Sequence, residues 1–158
     1  MAHAIHNLKD RFQALRELQA TMHGKSLTAL EIQAGEIVFD TTADAIDAVA
    51  TRRMNVLLRA VPLGTGMGKS TSAYAAIAVA AMACPDFSAA YVVPTALMAE
   101  EAQQGIEELL GPGTTTLWTT YHRHKGRNEA DTVREFGRLP DRTADRATLP
   151  TDRIIIVT

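Results

Sequence analysis

Cysteine is nearly missing from this chain: Cys84 is the single thiol in 158 residues. A disulfide framework and a multi-thiolate metal site within the chain are therefore excluded. In its setting, "AVAAMACPDF", Cys84 reads as a small buried hydrophobe rather than a reactive group. An excess of one charge is missing too. The formal net charge is −2, which argues against coating nucleic acid by bulk electrostatics and leaves room only for a local basic groove. Long apolar runs are also absent. The longest, Ala75–Cys84, is too short and too rich in alanine to cross a bilayer. The opening "MAHAIHNLKDRF" lacks the apolar centre of a signal peptide, so a cytoplasmic protein with no membrane partner is expected. With 46% hydrophobic and 22% charged residues, the chain falls outside the disordered class and can bury a core. No internal repeat or low-complexity tract is visible.

What is present has a readable order. Ile5, Leu8, Phe12, Leu15, Leu18 and Met22 recur at three- and four-residue steps, which predicts an amphipathic N-terminal helix stopped at Gly24. Thr28–Asp40, "TALEIQAGEIVFD", fits two short strands around Ala34-Gly35. Thr41, with Asp44 three residues on, reads as a capping-box variant opening a helix. Residues 1–40 are thus set apart from 41–158. From "NVLLRAV" onward, apolar strands alternate with helices. "STSAYAAIAVAAMAC" is a helix ended by Pro85, "AAYVVPT" a strand, and "ALMAEEAQQGIEELL" a helix closed by Gly111-Pro-Gly113. "TTTLWTTY" and "RIIIVT" are further strands, on either side of a charged stretch from His122 to Arg153. The alternation predicts an α/β fold, a parallel sheet with flanking helices.

The glycines sit between the first of these strands and the first of these helices, in "VPLGTGMGKST". Gly64, Gly66 and Gly68 permit backbone angles that other residues resist, so successive amides, with Thr65 and Met67 between them, can turn in around an anion. The helix start adds its partial positive charge. Lys69 can reach the outer phosphates of ATP, the Ser70 hydroxyl suits Mg²⁺, and Thr71 completes the cradle. One departure stands out. Leu63 occupies the position where G-x-x-x-x-G-K-[ST] has a small residue, so the loop is expected to enter differently or to be slightly loosened.

Such a loop names a cofactor rather than a task. The next strand narrows it. Val92-Val93-Pro94-Thr95 and the following Met98-Ala99-Glu100-Glu101 resemble motif Ia of superfamily-2 (DEAD/DEAH-like) helicases and translocases, in the same order after a motif I like Gly64–Ser70. The resemblance spans about residues 42 to 158 and implies a RecA-like P-loop domain with an N-terminal amphipathic helix ahead of it. It implies ATP and Mg²⁺ as ligands, nucleic acid as partner, and a second motor half or partner protein. Pro94 and Thr95 would lie at the carboxyl edge of the sheet, where a hydroxyl and helix-start amides hold a backbone phosphate. The terminal Thr158 of "IIIVT" resembles the start of a further nucleic-acid motif. Gln33 is better read as a solvated glutamine than as an adenine reader.

"YHRHKGR" offers Arg123 and Lys125 as phosphate contacts beside Tyr121, although a solvated insertion loop is the favoured reading. His122 and His124 lack a third ligand and do not make a metal site. The remaining absence concerns hydrolysis, which needs a carboxylate at a neighbouring strand end. After Lys69 no apolar run is followed by Asp-Glu, and Asp40, after Ile37-Val-Phe39, lies upstream and out of order. No catalytic residue is identified. The simplest expectation is an incomplete motor domain that ends before its acidic strand and has little or no turnover alone. Two other classes fit the loop: a P-loop adaptor or switch whose partner supplies the acid, and a small P-loop phosphotransferase.

Overall fold

A computed structural model describes residues 6–50, 60–118 and 153–158. The chain divides into two compact units, Met1–Pro85 and Asp86–Thr158.

The first unit is helical. A short 3-10 turn at His6–Leu8 leads into α1 (Lys9–Met22), followed by α2 (Ala29–Ala50) and α3 (Lys69–Ala83). The expected N-terminal helix is present, and the backbone turns out of it at Gly24 with φ 66°. Its buried face is only partly the expected one. Phe12, Arg16 and Gln19 are buried, whereas Leu18 and Met22 of the apolar stripe are exposed. Inward packing of Phe12 on Phe39, with ring centroids 4.7 Å apart, fixes this rotation.

The strand pair expected over Thr28–Asp40 is absent, because α2 runs unbroken through it. A capping box does open this helix, but at Thr28 and Glu31 rather than at Thr41 and Asp44. The Thr28 amide and hydroxyl donate to Glu31 Oε2 at 2.8 and 2.7 Å, and the Glu31 amide donates to Thr28 Oγ1 at 3.3 Å. Thr41 lies mid-helix, where its hydroxyl donates to the Ile37 carbonyl at 2.7 Å. A boundary at residue 41 would cut α2; the compact units meet at Pro85.

Gly35, read as a turn, is a helical residue with a packing duty. A Cβ there would overlap the Arg16 guanidinium. Helix α3 is buried almost all round, from Tyr74 to Ala80, as an alanine-rich helix packed against both α1 and α2 must be. Cys84 caps its end, half-buried rather than fully buried as expected.

The second unit holds β1 (Ala89–Val92), α4 (Ala96–Leu110), β2 (Thr116–Trp118) and β3 (Ile154–Val157). The strands pair in parallel in the order β1-β3-β2, with Val92 and Trp118 both level with Val157. These segments form the three strands of a small parallel sheet. Helix α4 packs on β2 and β3, burying Ala99, Ala102 and Ile106 over Leu117, Ile154 and Ile156. Its end is tied to β2, since the Thr115 amide and hydroxyl donate to Glu107 Oε1 at 3.1 and 2.8 Å. The strand expected at "NVLLRAV" lies largely outside the described residues. Among those described, no helix is long and apolar enough to cross a membrane.

Candidate functional site: the loop before α3

The glycine-rich loop enters α3 through Gly68, whose φ of 67° and ψ of 27° are left-handed. The left-handed turn is the reason this position takes glycine. Its carbonyl is then pinned by three donors from the first turn. These are the Thr71 hydroxyl at 2.9 Å, the Ser72 hydroxyl at 2.7 Å and the Ser72 amide at 2.9 Å. A trans peptide points its N–H opposite to its C=O. With the Gly68 carbonyl drawn down the helix, the Lys69 N–H is directed out of the helix start.

The donors of the loop remain uncommitted. Among the described residues, no amide from Gly64 through Thr71 donates a hydrogen bond. A folded chain rarely leaves such a run of donors unpaired except where water or a ligand meets them. Thr65, Gly66 and Ser70 are exposed and Met67 is half-buried. Lys69 arches back over the loop, donating to the carbonyls of Leu63 at 2.9 Å and Gly64 at 2.6 Å. This leaves one N–H of the ammonium for another acceptor. At Leu63, the departure from the motif, the Lys69 contact is to the backbone.

The first unit also brings a residue to this loop that the sequence reading passed over. Arg16 is 2% exposed and its guanidinium sits in the notch left by Gly35. Nη2 donates to the Glu31 carbonyl at 2.7 Å and Nη1 to Gln13 Oε1 at 3.4 Å, while Nε has no partner. Phe12 lies under the guanidinium, 5.6 Å from its carbon to the ring centroid. A Cβ at Gly68 would stand 3.2 Å from Thr71 Oγ1, 3.5 Å from Arg16 Nη2 and 3.9 Å from Glu31 Cγ. The loop's last glycine is thus backed by a buried cation. Burial lowers the Arg16 pKa, opposed by the nearby Glu31 and Glu17 carboxylates. Hydrogen bonds from Thr28 hold the Glu31 carboxyl below its ordinary range, with burial opposing and Arg16 and Lys25 adding to the shift.

Asp40, considered as an out-of-order metal ligand, belongs instead to the exposed surface of α2, 3.7 Å from Lys9 Nζ. Gln33 is exposed, as expected of a solvated side chain. No cluster of metal-ligating side chains is present among the described residues.

In the second unit, Pro94 and Thr95 are both exposed beyond the end of β1. Thr95 is the N-cap of α4, its hydroxyl accepting from the Met98 amide at 3.2 Å. The Val93 amide donates to the Val157 carbonyl at 2.9 Å, so Pro94-Thr95 and Thr158 follow neighbouring strands at one end of the sheet. Arg123, Lys125, His122 and His124 lie outside the described residues.

Comparison with protein-family models, curated proteins and solved structures finds no match to this chain.

Proposed function

We propose that the chain is the ATP-binding portion of a superfamily-2-like nucleic-acid helicase or translocase, working in the cytoplasm. The observation that carries the nucleotide half is the run of uncommitted amides from Gly64 to Thr71, with Lys69 folded over it. These amides bind the phosphates of ATP, Lys69 turns its remaining N–H to them, and the exposed Ser70 hydroxyl serves Mg²⁺. The nucleic-acid half rests on the exposed Pro94-Thr95 corner at the sheet end and on the basic pair Arg123 and Lys125. The sequence carries no Asp-Glu pair after an apolar run beyond Lys69, which supports reading this portion as one that binds nucleotide.

The test is direct. Titration of the full 158-residue chain with Mg·ATP, followed by a fluorescent nucleotide, gives saturable binding that Lys69→Ala removes, with phosphate release at background. Equal binding by the wild type and Lys69→Ala overturns the nucleotide reading. An ATPase rate abolished by Lys69→Ala overturns the assignment to binding alone.

A further inference from the structure

Arginine is costly to bury, and a buried arginine normally meets a carboxylate that neutralises it. Arg16 does not. Its strongest contact is with a backbone carbonyl, that of Glu31, and the Glu31 carboxylate is itself held by Thr28. The Nε atom is unpaired, and the side chain is 2% exposed. Two glycines make the arrangement possible. Gly35 leaves the space that the guanidinium fills, and Gly68 brings the phosphate loop close to its Nη2 edge. The neighbouring polar groups are Gln13, Glu17 and Glu31.

We propose that Arg16 is a positioning residue of the phosphate site: a fixed positive charge behind Gly68 that favours the triphosphate and links α1 and α2 to loop occupancy. The proposal rests on the nucleotide reading of the loop. Water reaches this charge poorly, so its field at the loop is screened less than that of a surface lysine. It needs no direct contact with a phosphate. Glu31 sets the opposite sign at the same place, its Cγ lying near the position a Gly68 Cβ would take.

The experiment measures Mg·ATP affinity of the full chain across a series of NaCl concentrations, with folding checked by circular dichroism. Arg16→Met weakens ATP about tenfold across the whole salt series, as loss of a charge that salt screens poorly requires. Arg16→Lys restores most of the affinity. Glu31→Gln keeps the helix cap, because glutamine serves in a capping box, and it tightens ATP by about two- to fivefold. Damage to packing does not tighten a ligand, so this second variant decides the matter even if Arg16→Met fails to fold. Wild-type affinity in folded Arg16→Met, a loss of affinity that high salt abolishes, or unchanged affinity in Glu31→Gln, overturns the proposal. Binding by the wild type that Lys69→Ala abolishes leaves the nucleotide reading standing in either case. If the wild type binds no Mg·ATP, that reading fails and this proposal with it.

Discussion

Helices α3 and α4 are the same length, 15 residues each, yet they begin in opposite ways. Thr95 opens α4 from an extended backbone and its own hydroxyl takes the Met98 amide. Gly68 opens α3 from a left-handed backbone and offers no side chain at all. Its carbonyl is satisfied three times over while the amides ahead of it go unused. A helix start that caps itself stabilises the fold. One that leaves its donors open trades local stability for a place where an anion can sit. The chemical difference between the two is a threonine side chain, whose hydroxyl does the capping, and the sign of φ.

Four substitutions or conditions break or sharpen that contrast. The largest effect is expected at the buried support of the α3 start. Gly35→Ala drives a methyl into the Arg16 guanidinium, and displacing it costs about 2–3 kcal/mol by denaturant unfolding. The loop itself comes next. Gly68→Ala forces a Cβ into the left-handed region, costing about 1–2 kcal/mol, and it weakens Mg·ATP because the cradle must turn to relieve the strain. Thr95→Ala loses the cap of α4 and costs about 1 kcal/mol, with no change in Mg·ATP affinity. An equal loss of nucleotide affinity in Thr95→Ala and Gly68→Ala would erase the distinction between the two starts.

The smallest effect is one of pH. The folded-state pKa of Glu31 lies below the ordinary 4.5. Its contribution to stability is therefore complete above that value and is lost as pH falls through the folded value. Thermal unfolding from pH 7 down to pH 3 should show wild type and Glu31→Gln converging at the acid end. A constant gap across that range would remove Glu31 from the account.

Much of the second unit was legible because its signals are local. Pro94 marks a strand end, Gly111 a helix exit with φ 99°, and the apolar runs alternate with helices of ordinary length. α2 was not legible for a physical reason. Its buried positions include the small residues Ala34, Gly35 and Ala43, while the bulkier Leu30 and Ile37 face outward. The β-branched residues and the glycine then imitate two strands and a turn, and the capping box Thr28-Ala-Leu-Glu31 passes unnoticed beside the weaker one at Thr41. The stripe on α1 misled in the same way, for hydrophobicity alone placed Leu18 and Met22 inward and left Arg16 outside.

By itself, the sequence determined the loop, because glycine spacing, Lys69 and the helix that follows act through the backbone and nearest neighbours. It placed the strand segments for the same reason. Only the tertiary structure decided which face of α1 is buried, that Gly35 is a socket rather than a turn, and that Arg16 stands behind Gly68. Those outcomes depend on residues distant in the chain coming within a few ångströms of one another. No periodicity along the chain encodes such a meeting.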